Sequence, residues 1–258
     1  MADTVLITGA SAGIGRDLAR LFAADRSRVI LVARRADALR ALAGELRDRH
    51  GVEATVLAAD LADPGAPKQI LTQLDSAGVT VDVVVNNAGF GLNGSVATLP
   101  LERQLEMIQV NVSALTALTR IFLPGMLQRN RGGVLNVAST AAFQPGPLMA
   151  VYYATKAYVE SFTEALAEEV RGTALRVSCL CPGPTATEFA EAAAMTGTNL
   201  FRGKTMTSAE VARIGYDGWQ RGKVLVVTGL SNKIGMALVR FSPRPTVRRL
   251  VKRLNSPA

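Results

Sequence analysis

The sequence predicts a single α/β domain built on a doubly wound parallel sheet. Its 258 residues are 48% hydrophobic, which is enough apolar material for one large core. Short apolar runs rich in β-branched residues alternate with stretches of helical periodicity, a pattern typical of parallel strands joined by crossover helices. A glycine-rich turn follows the first of these runs. Sheets of this class bind ligands at the carboxyl ends of their strands.

The individual elements follow from the same patterns. Strands are expected at 4–8, 28–33, 53–58, 81–85, 134–138, 175–181 and 224–228. Helices are expected at 16–24, 36–49, 101–129 and 150–170, from Pro64 onwards and after the last strand. We expect the domain to span residues 1–241 and a basic tail to follow at 242–258.

The distribution of charge and the cysteine content limit the classes of function that the sequence supports. Nine of the 29 basic residues follow Asp217, the last acid, so residues 1–217 hold 20 basic against 21 acidic residues. The net charge of +8 therefore belongs to the C-terminal end and says little about a site in the body. Cys179 and Cys181 point to the same face of a predicted strand, where we expect them to fill core space. With His50 as the only histidine, we expect no metal site.

The sequence also bears on location. No apolar run approaches the roughly 20 residues of a membrane span. The N-terminus lacks a cationic segment followed by a long apolar stretch, so no signal peptide is indicated. We expect a cytoplasmic protein, with peripheral contact to a membrane as an option that depends on the tail.

The turn after the first strand suits a pyrophosphate. Backbone without Cβ atoms lets a phosphate approach, and the N-terminus of the next helix offers free N–H groups and a favourable dipole. This is the arrangement of a Rossmann-type fold. We predict that the turn binds a dinucleotide through Gly9, Ser11, Gly13, Ile14 and Gly15.

The second strand is followed by Arg34 and Arg35, about 20 residues after the turn, where a dinucleotide fold reads the adenosine ribose. An acid at this place would accept the 2′-hydroxyl of NAD. Two arginines, with Ser11 opposite, instead favour a 2′-phosphate and therefore NADP(H). NAD(H) stays the alternative if both arginines only cap and solvate the next helix.

Tyr152 and Lys156 stand four residues apart in a predicted helix and so share one face. An ammonium beside a phenol favours the phenolate, which lowers the phenol pKa from about 10 and lets it exchange protons with an alcohol or carbonyl oxygen. Ser139 follows the strand 134–138, at the carboxyl end of the sheet. Taken alone, Tyr-x-x-x-Lys can also be a chance pattern on a solvated helix face.

The remaining candidate site residues are polar residues at the ends of two other strands and in one helix. Asp60 is placed to meet an adenine edge, and Asn87-Ala88-Gly89 allows close backbone contact with a cofactor. Asn111 lies among apolar residues of the helix 101–129, where an amide is costly unless it is hydrogen-bonded. A functional role and an ordinary buried hydrogen bond both account for Asn111.

Together these motifs resemble those of the short-chain dehydrogenase/reductase family, compact single-domain branch, over about residues 4–187. They occur in the family's order as Thr8-Gly9-Ala-Ser-Ala-Gly13-Ile-Gly15, Asn86-Asn87-Ala-Gly89, Asn111, Ser139, Tyr152-x-x-x-Lys156 and Pro182-Gly183-Pro-Thr185-x-Thr187. The resemblance implies an NADP(H)-dependent oxidoreductase that interconverts an alcohol and a carbonyl. The alternative is a cofactor-binding regulatory or scaffold protein without turnover, which would be expected to lack Ser139, Tyr152 or Lys156.

The resemblance also implies a role for each residue. Tyr152 is the general acid/base and Ser139 steadies the substrate oxygen. Lys156 binds the nicotinamide ribose and lowers the Tyr152 pKa, while Asn111 holds a water that passes protons onward. The adenosine half is surrounded by Asp60, Leu61, Asn87, Ala88 and Gly89. The nicotinamide and phosphates are held by Pro182, Gly183, Thr185 and Thr187. Members usually assemble as dimers or tetramers, so we expect a homo-oligomer.

Two further segments concern the substrate and partners. In the family the region 188–206 closes over the substrate, and here it is apolar. A lipophilic substrate is suggested by Phe90, Phe143, Leu148, Met149, Phe189, Met195, Leu200 and Phe201, although a core or an oligomer contact accounts for them too.

The sequence of the tail predicts a helix that begins at Pro245. One face of this helix is apolar and is formed by Val247, Leu250, Val251 and Leu254. Such a helix can lie on an anionic membrane, dock on the body or contact a neighbouring subunit. Nucleic-acid binding is not expected, because no aromatic residues are interleaved with the charges.

Overall fold

The computed structural model describes residues 2–203 and 205–257, and its centre is a parallel sheet of seven strands. The strands are β1 (Thr4–Thr8), β2 (Arg28–Ala33), β3 (Ala54–Ala58), β4 (Val83–Asn86), β5 (Gly133–Val137), β6 (Arg176–Cys181) and β9 (Leu225–Val227). Two short strands, β7 (Thr185–Ala186) and β8 (Met206–Thr207), pair separately. The predicted parallel sheet is confirmed, with boundaries that differ from the predicted ones by a few residues at most.

The helices cover both faces of this sheet. They are α1 (Gly13–Ala24), α2 (Ala36–His50), α3 (Ala66–Ser76), α4 (Leu101–Ile108), α5 (Leu115–Arg129), α6 (Ala150–Glu169), α7 (Glu188–Ala192), α8 (Ser208–Gln220), α9 (Leu230–Phe241) and α10 (Arg244–Asn255). One core layer contains side chains from α1, α2 and α8, and the other contains side chains from α3, α5 and α6. Helix α8 was not predicted, although Thr207 and Glu210 form a capping box at its start.

The strand order β3-β2-β1-β4-β5-β6-β9 places the switch in winding direction between β1 and β4. Leu6 of β1 pairs with Ile30 on one side and with Val84 on the other. Open α/β sheets have a crevice outside the carboxyl ends of the two strands at such a switch. The turn that begins at Gly9 follows β1, and Asn87 follows β4, so both lie at this crevice.

The segment predicted as one uninterrupted helix at 101–129 contains a π-helical stretch, Gln109–Ala114. The apolar residues before and after this stretch continue a helical pattern, so the sequence predicts one uninterrupted helix. Asn111 lies within it and is almost fully buried. Short π-helical stretches in proteins often occur at functional sites.

The same segment is more apolar than the sequence analysis allowed. Within the described residues, Leu101–Arg129 is one helical segment long and apolar enough to cross a membrane, with a mean hydropathy of 1.3 over its most apolar window. Its Leu118, Phe122 and Met126 are buried in the core layer beneath the sheet. We therefore interpret it as a core helix.

The C-terminal tail packs on the body. Val247 and Val251 of α10 are buried in a cluster with Met107, Met149 and Tyr152. Leu250, predicted on the same face, is exposed instead. Of the three alternatives for the tail, the structure shows α10 docked on the body.

Candidate active site

Two adjoining cavities, of about 340 Å³ and 360 Å³, lie at the carboxyl ends of the strands. Both are lined by Gly9, Arg34, Ala88, Gly89, Phe90 and Glu188. The first, which we call the catalytic cavity, is also lined by Gly13, Ile14, Asn87, Ser139, Tyr152, Lys156, Pro182, Gly183, Thr185 and Thr187. The second, the adenosine cavity, is also lined by Ser11, Arg35, Asp60 and Leu61. Of the predicted site residues, only Gly15 and Asn111 line neither.

The glycine turn is fixed by Asn87 and Thr8. The Asn87 side-chain amide donates to the carbonyl oxygens of Thr8 and Gly9, at 3.0 and 3.3 Å. The Thr8 hydroxyl oxygen accepts from the backbone N–H groups of Asn87 and Ala88. Gly9 has a φ of +66°, and a Cβ there would lie 2.7 Å from the Asn87 amide nitrogen. Bare backbone therefore faces the cavity, as a bound pyrophosphate requires.

The adenosine cavity carries the predicted arginines. An Arg35 guanidinium nitrogen lies 3.3 Å from the Ser11 hydroxyl oxygen, so the two residues predicted to meet a 2′-phosphate are neighbours. Arg35 is also the N-cap residue of α2, where its backbone carbonyl accepts from the Leu39 N–H and its side chain makes no cap hydrogen bond, so NAD(H) stays the alternative. Arg34 lines both cavities. The Asp60 carboxylate accepts from the backbone N–H of Ala62 at the exposed edge.

Glu188 was missed by the sequence analysis. Its carboxylate lies 2.9 Å from the Arg35 guanidinium and forms an ion pair with it, at the border of the two cavities. Glu188 is the first residue of α7 and belongs to the segment 188–206. No sequence signal connects residues 153 positions apart. The only available hint is an acid at the start of a segment that is otherwise apolar.

Helix α6 brings Tyr152 and Lys156 to the catalytic cavity, and both are buried. The Lys156 ammonium donates to the Val137 carbonyl oxygen at 2.8 Å and lies 5.8 Å from the centroid of the Tyr152 ring. The Ser139 hydroxyl donates to the Pro182 carbonyl oxygen and accepts from the backbone N–H of Ala141. The three predicted residues are therefore brought together, at the end of β5 and on the next helix.

Burial controls the protonation of Tyr152 and Lys156. It raises the pKa of the Tyr152 phenol well above its ordinary value, and the nearby Ser139 hydroxyl lowers that pKa only in part. Burial also lowers the pKa of Lys156 to about 8, against a small opposing effect of Cys179 and Cys181. The effect of burial is the larger one here, and the lowering of the Tyr152 pKa by Lys156 stays a prediction. The ammonium is directed at the Val137 carbonyl, and desolvation of the phenol dominates.

Asn111 is fully engaged with its neighbours. Its side-chain oxygen accepts from the Phe90 N–H at 3.1 Å, and its amide donates to the Phe90 carbonyl and the Thr155 hydroxyl. These bonds satisfy the buried amide and hold the backbone next to Gly89, a residue that lines both cavities. The ordinary buried hydrogen bond is thus present, and the water relay stays a prediction.

The wall beside Tyr152 is apolar. The catalytic cavity is lined by Phe90, Met149, Phe189, Met195, Leu200 and Phe201. The rings of Phe189 and Tyr152 lie 5.4 Å apart. Two predicted members of this wall are absent from it: Phe143 packs against a separate cluster that contains Cys179 and Cys181, and Leu148 has a left-handed backbone conformation. Thr140 and Gln144, which were not predicted, add polar groups to the lining.

The cysteines and acids offer no metal site within residues 2–203 and 205–257. Cys179 and Cys181 are buried on β6, with their sulfur atoms 3.6 Å apart. They fill core space, as predicted.

Comparison with known proteins decides the family. The model of the family described as short chain dehydrogenase matches residues 3–196, most of the chain. The chain belongs to the short-chain dehydrogenase/reductase family. It is therefore an oxidoreductase of the kind that acts on CH–OH and carbonyl groups, and the predicted resemblance is confirmed.

Individual members of the short-chain dehydrogenase/reductase family are similar over much of this chain. An NADP-dependent 3-hydroxy acid dehydrogenase of Salmonella typhi is 38% identical over 180 residues, which are 69% of this chain and 71% of that protein. Against another curated relative the matched region spans 60% of the relative's length.

Solved structures of the family superpose closely. A short-chain dehydrogenase from Sphingobium yanoikuyae, in complex with NADPH, has a TM-score of 0.83 at 30% identity and covers 93% of this chain and 94% of that one. A 7β-hydroxysteroid dehydrogenase has a TM-score of 0.87 at 27% identity and covers 96% of each chain.

Proposed function

We propose that this protein is an NADP(H)-dependent reductase of a lipophilic carbonyl compound, with Tyr152 as the proton donor. One observation carries the proposal: a single cavity joins the bare backbone of the glycine turn, the Ser139–Tyr152–Lys156 group and an apolar wall. A nicotinamide dinucleotide fits the first part, a reacting oxygen the second and an apolar substrate the third.

The preference for NADP(H) rests on the adenosine cavity. Arg34 and Arg35 line it together with Ser11, so two guanidinium groups and a hydroxyl are available to a 2′-phosphate. Charge-assisted hydrogen bonds of this type are about twice as strong as neutral ones. The NADP-dependent relative and the NADPH-bound neighbour support the same preference.

In the reducing direction, Tyr152 and Ser139 would have complementary roles. Bound NADPH would supply the hydride. Because burial raises its pKa, the Tyr152 phenol keeps its proton at neutral pH and is ready to donate it to a substrate oxygen. The Ser139 hydroxyl, at the same wall, is placed to stabilise the negative charge that develops on that oxygen.

The lipophilic character of the substrate is inferred from the wall of the catalytic cavity. Phe189, Met195, Leu200 and Phe201 come from the segment 188–206, and Phe90 and Met149 face them across the cavity from the body. An apolar wall with few polar groups binds an apolar ligand and orients it through those groups. The similarity to a steroid dehydrogenase agrees with a bulky apolar substrate.

The test is NADPH oxidation against a panel of aliphatic and cyclic ketones, steroid ketones and 3-oxoacyl thioesters, with short polar aldehydes as the control set. We expect turnover of at least one lipophilic member and a lower kcat/KM for polar compounds of equal reactivity. Preference for the polar set would overturn the assignment of substrate class. Absence of NADPH binding would overturn the proposal as a whole.

The homo-oligomer is likewise proposed. Apolar side chains of α4, namely Leu101, Leu105 and Ile108, are exposed along one helix face and supply a surface for a second copy. Light scattering coupled to size-exclusion chromatography would measure the mass in solution. A monomer at all concentrations would remove this proposal.

A further inference from the structure

Helix α9 presents an apolar face that no other residue within 2–203 and 205–257 covers. Its exposed side chains are Leu230 (72%), Ile234 (53%), Leu238 (61%) and Phe241 (85%). Their spacing of four, four and three residues puts them on one side of the helix. Leucine or phenylalanine exposed singly is common, but four in one stripe mark an interaction surface.

The opposite side of α9 is the side that holds the helix in place. Asn232 donates to the Thr228 carbonyl oxygen at 2.7 Å, which ties the first turn to the end of β9. Met236 and Val239, one and two turns further on, pack against clusters of the core. Helix α9 is therefore anchored by a polar and apolar inner face, and its outer stripe is free for a partner.

The part of the chain that contains α9 is cationic. No acid follows Asp217 in the sequence, and nine basic residues do. All of them are exposed: Arg221, Lys223, Lys233, Arg240, Arg244, Arg248, Arg249, Lys252 and Arg253. Lys233 and Arg240 lie on α9 itself, and the next helix contributes five more. An apolar stripe bordered by cations is the pattern of a helix that lies in a membrane interface.

Charge decides between a bilayer and a second copy of the chain. A twofold contact through α9 would place the same cationic surface on both sides of the interface, where like charges repel. An anionic bilayer offers acyl chains to the stripe and headgroup phosphates to the cations. We propose that α9 docks this protein on an anionic lipid bilayer, with Leu230, Ile234, Leu238 and Phe241 inserted and the basic residues of α9 and α10 against the headgroups.

The inner face of α9 adjoins the catalytic cavity. Gly183 lines that cavity, and a Cβ on it would lie 2.3 Å from the Asn232 amide of α9. Val239 packs in the cluster that contains Phe189, Leu200 and Phe201, which are part of the apolar wall. One helix would thus link the bilayer, which can dissolve a lipophilic substrate, to the wall that receives it. This last step rests on the proposed function, whereas the docking itself does not.

Vesicle co-sedimentation of the intact chain tests the docking. The probes are vesicles of phosphatidylcholine alone and of phosphatidylcholine mixed with phosphatidylglycerol. We expect binding to the anionic vesicles, weaker binding to the neutral ones and a decrease with salt. The double variant Leu238→Ser/Phe241→Ser should bind at least about tenfold more weakly, because two large apolar side chains no longer insert. The matched control Val96→Ser/Leu127→Ser replaces exposed apolar residues elsewhere and should bind like the parent.

Three results would overturn the proposal. The parent could fail to bind anionic vesicles, or the α9 variant could bind as well as the parent. Alternatively, the variant could dissociate an oligomer while neither protein binds vesicles, which would make the stripe a subunit contact. Thermal unfolding of both variants checks their folding. NADPH oxidation with a water-soluble carbonyl measures the proposed function separately, since no substituted residue lines the cavities.

Discussion

The Tyr153 hydroxyl donates a hydrogen bond to the side-chain oxygen of Asn255, 3.3 Å away, although 102 positions separate the two residues. Asn255 is completely buried at the end of α10, and its amide donates to the Pro147 carbonyl oxygen. Asn93 in turn donates to the Asn255 carbonyl oxygen. One asparagine therefore connects the last helix to the catalytic helix α6, to the loop that precedes it and to the loop after β4.

Replacing Asn255 should weaken the contacts of α10 with α6 and with the two loops. In Asn255→Ala the Tyr153 hydroxyl and the Pro147 carbonyl lose their partner in a buried place, which costs about 1–3 kcal/mol of unfolding free energy. We expect a lower Tm and, because Met149 and Tyr152 lie in the cluster that α10 covers, a raised KM. Urea unfolding and steady-state kinetics measure both. The control Arg249→Ala changes an exposed residue of the same helix, and an equal effect of the two variants would contradict the assignment.

Substitutions of the adjacent residues Tyr152 and Tyr153 distinguish a role in catalysis from a role in packing. Tyr152→Phe removes the proposed proton donor and should lower kcat by about 10²–10⁴-fold while NADPH still binds. Tyr153→Phe removes only the hydroxyl bonded to Asn255, so it should lower stability and keep most of the turnover. Cofactor binding is measured by the fluorescence of bound NADPH and turnover by its oxidation. If Tyr152→Phe turned over like the parent, the proposed acid would be another group.

Lys156 should make stability depend on pH. Its pKa is lowered to about 8 in the folded protein from 10.5 in the unfolded chain, because burial penalises the charged form. Between these values the unfolded state binds more protons, so stability rises with pH. The penalty is fully present below about pH 8 and disappears near pH 10.5. The total change amounts to about 3 kcal/mol.

The variant Lys156→Met lacks this titration and isolates it from other groups. It should be more stable relative to the parent below pH 8 than near pH 10.5. It should also have little activity, because the ammonium that is predicted to bind the nicotinamide ribose is gone. Urea unfolding of both proteins at the two pH values gives the comparison. A difference in unfolding free energy that does not change with pH would show that Lys156 is not titrating in this range.

Local patterns predicted most of the fold and the candidate site. The glycine turn and the spacing of Tyr152 and Lys156 are readable because strand, turn and helix geometry follow from neighbouring residues. The π-helical stretch at Asn111 was not predicted, because the apolar residues on both sides of it continue a helical pattern. The raised pKa of Tyr152 depends on burial by segments distant in sequence, such as α7 and α10. For the same reason the pairing of Arg35 with Glu188 could not be predicted.

That pairing leads to a test of cofactor preference. Arg35 contacts Ser11 and Glu188 at the border of the two cavities, and a 2′-phosphate would replace Glu188 as its anionic partner. Arg35→Ala should therefore weaken NADPH binding by about 10- to 100-fold, the value of one or two charge-assisted hydrogen bonds, and leave NADH binding almost unchanged. Isothermal titration with both dinucleotides measures this. Arg40→Ala is the matched control, since Arg40 is an exposed arginine of α2 that pairs with Asp37. Equal losses for both dinucleotides would show that Arg35 contributes to binding without reading the 2′-phosphate.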